Sequence, residues 1–170
     1  MVQNNESIIN AVPHKEISYY LSQHESLLAS QIGIIIFDAS KDKSQHDICI
    51  EGNSVFLTFD DVETATEGKL MSQQQAATIK SLLSRFPTAD IVVSCKGGIC
   101  RSPAIAAAIY LAKYGKTRCY NRWFKTKHYL PNRYVFDLCA AELCGEYNPQ
   151  DWDGAFETNR RIWDEYHIID

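Results

Sequence analysis

The stretch Val92-Val93-Ser94-Cys95-Lys96-Gly97-Gly98-Ile99-Cys100-Arg101-Ser102-Pro103 decides how this chain is read. Ile91 to Ser94 leads into it as a short, mostly apolar run, the composition of a strand covered on both faces of a parallel sheet. Pro103 to Tyr114 leaves it as a helix, with proline in the first turn, where no backbone N–H is required. A loop between a buried strand and a helix start can turn its N–H groups inward, and the helix N-terminus adds partial positive charge at the same point. Gly97 and Gly98 permit tight curvature, and Arg101 supplies a planar fork able to hold two phosphate oxygens at once. Cys95 then stands at the floor of an anion-binding loop as the attacking group.

Outward from the loop, β and α segments alternate. Strands are expected near Ser7–Val12 and at Ile32–Phe37, Ile48–Ile50 and Val55–Phe59, with a helix at about Lys15–Leu28 and a charged turn at Lys41–Asp47. Ser72 to Arg85 reads as a helix capped by Ser72, and the helix after the loop ends at Gly115 as a C′ residue. Ala104, Ile105, Ala107, Ala108 and Leu111 make that helix apolar on most faces, so it should be central and buried. Leu130-Pro131-Asn132 reads as the start of a further helix, Tyr134 to Leu143, with Arg133 on the surface. Asn148-Pro149-Gln150-Asp151 reads as a break. The expected fold class is α/β: three layers in a single domain, 1–170, with a mostly parallel central sheet flanked by helices. Its motif-bearing core covers about 32–115 and a helical part about 121–170, and ligand binds at the strand C-termini.

Cys95, Arg101 and Ser102 at this spacing match the signature of the cysteine-dependent protein tyrosine and dual-specificity phosphatases. The wording of the loop is also similar to that of the low-molecular-weight tyrosine phosphatases and related arsenate reductases. Some ninety residues precede the loop, and an acidic pair, Asp60-Asp61, lies upstream of it, an order that resembles the compact dual-specificity enzymes. The resemblance implies a dual-specificity-phosphatase-like fold and hydrolysis of phosphate monoesters, foremost protein phosphotyrosine, through a cysteinyl-phosphate intermediate. It implies no metal and no cofactor, with phosphate, sulfate or vanadate as site ligands. Ser94 stands where many members carry histidine.

Each residue type serves a separable need of that chemistry. A thiolate attacks phosphorus where a thiol does not, and a helix N-terminus beside a guanidinium favours the thiolate at Cys95. Lys96, Gly97, Gly98, Ile99, Cys100 and Arg101 would hold the equatorial phosphoryl oxygens by their amides and the Arg101 fork. Ser102 would donate to the Cys95 sulfur and make it a better leaving group. Asp61 is the expected general acid, with Asp60 as the alternative. Cys100, five residues from Cys95 in a loop that curls back, is the expected partner of a reversible disulfide, or else a small side chain packed under the loop.

Composition fits a small enzyme. The 170 residues are 45% apolar, enough for one core, and carry a net charge of −4 with scattered Lys and Arg, which excludes nucleic acid and anionic membrane as expected partners. The expected partner is a phosphorylated protein or a small phosphate monoester. No run approaches a membrane span and MVQNNES lacks the regions of a secretory signal, so a cytoplasmic location with six reduced cysteines is expected. Three rival functions fit parts of the pattern: a phosphate-binding module without turnover, a dithiol reductase using Cys95 and Cys100, and a zinc module using Cys95/Cys100 with Cys139/Cys144.

Overall fold

The computed structural model describes residues 6–17, 31–41 and 46–167. Its core is a five-stranded sheet with β1 (Ile9–Pro13), β2 (Gln31–Phe37), β3 (Ile48–Glu51), β4 (Ser54–Thr58) and β5 (Asp90–Cys95) in the order β1-β5-β2-β4-β3. β1, β5, β2 and β4 run parallel, and β3 returns antiparallel on β4 at the edge. The class is therefore α/β with a mostly parallel sheet. Near-continuous Ile and Val in β2 and β5 explain why these two strands pair with each other at the centre, where both faces are covered.

The alternation of side chains splits the sheet into two unequal faces. Ile32, Ile34 and Ile36 of β2, Val55 and Leu57 of β4, and Ile91, Val93 and Cys95 of β5 point to one face and join the main core. That core also takes in α1 (Gln73–Arg85), α2 (Arg101–Tyr114) and α4 (Arg133–Leu143), together with Cys119 of the short α3 (Lys116–Cys119). The other face carries a smaller cluster of Val12, Ile35 and Val92 with Ile17, which lies on a helical turn at 14–17. The rest of the helix expected at Lys15–Leu28, and much of the turn expected at Lys41–Asp47, lie outside the described residues.

Local sequence sets the helix boundaries. Ser72 caps α1 through a capping box: its hydroxyl accepts from the Gln75 N–H at 3.2 Å, and the Gln75 side chain accepts from the Ser72 N–H at 2.9 Å. Gln75 is itself buried, and its amide donates to Thr58 O and Asp47 O, which ties the helix to the end of β4. The helix after the loop begins at Arg101 rather than Pro103, because the N–H groups of a whole first turn lack helical acceptors and proline is tolerated throughout it. Its residues 104–109 are all fully buried, and four of them are alanine, which lets the helix lie close against the sheet. Gly115 follows at φ +83°.

The C-terminal helical part packs its apolar side chains into this core. A π-helical turn at Tyr120–Phe124, α4, a 3₁₀ turn at Pro149–Trp152 and α5 (Asp153–His167) bring Phe124, Phe136, Trp152 and Phe156 together, with ring centroids 4.9–5.5 Å apart. Asn159 of α5 is fully buried, and its amide donates to Phe124 O (3.1 Å), Thr126 O (3.3 Å) and Tyr129 O (3.1 Å). One amide group thus serves three carbonyls of the irregular segment 124–129, while its own Oδ1 has no partner among the described residues. Asn159→Ala leaves those carbonyls without their donor and should cost about 1–3 kcal/mol, read as a lower midpoint in urea unfolding with an unchanged slope.

Candidate active site

The loop expected from the sequence lies at the C-terminal end of β5, where the parallel strands converge. Cys95 is the last residue of β5 and is 3% exposed. Its Sγ lies 3.1 Å from Ser102 Oγ in the first turn of α2. Gly98 adopts φ +68°, and a Cβ there would stand 2.6 Å from Pro13 N and 2.8 Å from Val12 C, both backbone atoms at the end of β1. Glycine is therefore required at 98. Gly97 has no such demand, since a Cβ there would meet only the Ile99 side chain, at 3.8 Å.

Hydrogen bonds on the outside of the loop fix its carbonyls. Leu130 N–H donates to Ile99 O at 2.9 Å, and both Asn132 N–H (3.2 Å) and Ala104 N–H (3.1 Å) donate to Cys100 O. The N–H groups of Gly97, Gly98, Ile99 and Cys100 take no acceptor among the described residues. Free amides on a curled loop beside a helix N-terminus form a cradle for an anion.

Arg101 is 4% exposed, so its charge must be paired. One terminal nitrogen donates to Phe59 O at 2.8 Å and the other to Asp38 Oδ1 at 2.5 Å, while Nε finds no partner among the described residues. Asp38 and Phe59 lie just past β2 and β4, so the guanidinium joins the ends of three neighbouring strands. Asp38 is a site residue that the sequence reading did not single out. The available signal was its place directly after the apolar run Ile32–Phe37, at the ligand-binding edge of a parallel sheet. At the rim, Lys41 lies 3.8 Å from Asp38, and a hydrogen-bonding approach of Lys41, then repulsion from its charge, pulls the Lys96 ammonium below the usual lysine range.

The two acidic candidates differ in what they touch. Asp60 accepts from the Ser40 N–H and the Lys69 N–H, both at 2.9 Å, one on each oxygen. Burial pushes its carboxyl up, but these backbone donors and the Arg101 charge outweigh burial and hold it below the usual range. Gly68 packs against it so closely that a Cβ would lie 2.9 Å from Oδ2. Asp60 thus organises the loop between β4 and α1. Asp61 is exposed, and its Oδ1 accepts from Asn132 Nδ2 at 3.0 Å.

Cys100 lies against Asp61. Burial, then the charge of Asp61 and a hydrogen bond to it, push the Cys100 thiol up to about 12, with Cys95 adding and Arg101 opposing. All six cysteines are free thiols. Asp61, Glu63, Glu67, Cys100, Leu130 and Arg160 line a groove of about 570 Å³ beside the loop. His14, directly after β1, also borders the site: burial pulls it below the usual histidine range, its Nε2 has no partner among the described residues, and its ring lies 5.4 Å from that of Phe37. Among the described residues, no three His, Cys, Asp or Glu side chains converge in a way that could hold a metal ion, and no helix is long and apolar enough to cross a membrane.

No family model, curated protein or solved structure matches the chain.

A thiol whose proton is held this firmly reacts slowly with alkylating agents, because the thiolate is the nucleophile. Cys100 should be carbamidomethylated by iodoacetamide at neutral pH about tenfold or more slowly than the half-exposed Cys49, measured by peptide mass spectrometry over time.

Proposed function

We propose that the protein is a cysteine-dependent phosphatase that hydrolyses phosphate monoesters, with a fold of the dual-specificity kind and phosphotyrosine proteins as its first substrate class. The observation that carries this reading is the Cys95 thiol at the end of β5, 3.1 Å from Ser102 Oγ at the start of α2, beneath a loop of free amides. The buried Arg101 beside it, with an unpaired Nε–H, supports the same reading.

In this mechanism the phosphoryl group sits in the loop, held by the amides of residues 96–101 and by Arg101. Cys95 Sγ attacks phosphorus, the ester P–O bond breaks, and Asp61 gives its proton to the departing alkoxide or phenoxide. The cysteinyl phosphate is then hydrolysed: Asp61, now a carboxylate, takes a proton from water, the water oxygen bonds to phosphorus, and the P–S bond breaks. Ser102 donates to the sulfur as it leaves. Inorganic phosphate departs with the enzyme restored. Asp61 is preferred to Asp60 as the acid because both Asp60 oxygens are engaged by backbone donors. A dithiol reductase cycle is less well supported, since Cys100 would have to give up a proton that burial and Asp61 both retain. A reducing, cytoplasmic setting suits the proposed thiol chemistry.

Hydrolysis of p-nitrophenyl phosphate should proceed without added metal. Cys95→Ser should abolish it, and Asp61→Asn should lower kcat about 10²–10⁴-fold, whereas Asp60→Asn should act mainly through stability. Turnover that persists in Cys95→Ser would refute the proposal.

A further inference from the structure

Asn132 is 6% exposed, yet each of its polar functions is used, and by a different segment. Its Oδ1 accepts from Val135 N–H at 3.0 Å and so caps α4. Its Nδ2 donates to Asp61 Oδ1 at 3.0 Å and to Val62 O at 3.3 Å. Its backbone N–H donates to Cys100 O at 3.2 Å, inside the phosphate loop. The orientation of the side-chain amide follows from these partners. Turned over, it would set Oδ1 against a carboxylate and a carbonyl, and Nδ2 against an N–H.

We propose that Asn132 is the positioning residue that docks the Asp61 loop onto the phosphate loop and sets which carboxyl oxygen delivers the proton. The inference rests on the phosphatase reading above. Because Nδ2–H donates to Oδ1, that oxygen stays an acceptor, and the transferable proton of the neutral acid belongs on Oδ2. The bond persists when Asp61 ionises, so the carboxylate is held in the same place when it turns to take a proton from water. Cys100 lines the same groove as Asp61, on the phosphate-loop side of this junction. Helix capping alone does not call for this arrangement: serine or aspartate at an N-cap accepts from the helix N–H about as well as asparagine, with no Nδ2.

That equivalence supplies the test. Asn132→Ser keeps a cap acceptor and deletes the donor to Asp61, and Asn132→Asp does the same while facing Asp61 with a second carboxyl. The two variants, wild type, Cys95→Ser, Asp61→Asn and the double variant Asn132→Ser/Asp61→Asn are compared by thermal melting and by kcat and KM on aryl phosphates of graded leaving-group ability. Asn132→Ser should melt near wild type and lose about 10- to 10²-fold in kcat with little change in KM, with the loss steepest for phenyl phosphate and smallest for dinitrophenyl phosphate. In the Asp61→Asn background the same substitution should add less than about twofold. Wild-type kinetics in both Asn132 variants would overturn the inference, as would an equal loss on every leaving group or a full additional loss in the double variant. Cys95-dependent turnover that is indifferent to Asp61→Asn would overturn it too while sparing the phosphatase reading, whereas turnover that survives Cys95→Ser would remove that reading and the inference together.

Discussion

A guanidinium 4% exposed cannot be left unpaired, and Arg101 meets that constraint with groups from elsewhere in the chain. Asp38 comes from the end of β2 and the Phe59 carbonyl from the end of β4, while Arg101 itself opens the helix that follows β5. In a parallel sheet these three ends already lie on one edge; the buried cation converts that proximity into a fixed arrangement. Each terminal nitrogen spends one of its two hydrogens on these partners, and Nε–H has no partner among the described residues. An arginine held in this way offers its remaining donors from a set position and loses little side-chain entropy on meeting an anion.

The opposite side of the loop is held by the C-terminal half. The aromatic cluster of Phe124, Phe136, Trp152 and Phe156 anchors α5 on α4, and Asn159 fastens the segment 124–129 from within. That segment leads directly to Leu130 and Asn132, whose N–H groups hold the carbonyls of Ile99 and Cys100. With those carbonyls turned outward, the loop amides are left without protein acceptors. The segment 121–167 is thus a buttress for a loop that precedes it in sequence, which gives a reason for its apolar side chains joining the same core as the sheet.

How much of this was legible in the sequence depends on the range of the interaction. The strands β2, β4 and β5 could be read because apolar runs report burial directly, and α1 because Ser72 and Gln75 form a local capping box. Cys95 and Ser102 were recognisable as a pair because one loop carries both. Asp60 and Asp61 could not be told apart, since adjacent carboxylates differ only in which amides they meet, and Ser40 and Lys69 lie 20 and 9 residues from Asp60. Asp38 went unassigned, and Asn132 was read only as a helix entry, because their partners at the site stand 63 and 71 residues away. Both glycines of the loop looked necessary, but only Gly98 meets the β1 backbone, a contact that depends on which strand lies beside β5.

Cys100 shows how a tertiary contact can redirect a residue whose spacing suggests another role. Its position five residues after Cys95 fits a disulfide, and Cys95 is near enough to add to the upward push on the Cys100 thiol. Forming that bond would require the Cys100 thiolate to attack an oxidised Cys95, and the proton it must first lose is held by burial and by Asp61. When Asp61 is a carboxylate the hold is strongest, because the nearby negative charge opposes a second one on sulfur. Neutralising or withdrawing Asp61 weakens this hold, while burial, the larger cause, remains. Burial and the Asp61 charge both hold the Cys100 proton, so the geometry that sets Cys100 beside Asp61 works against thiol chemistry at Cys100.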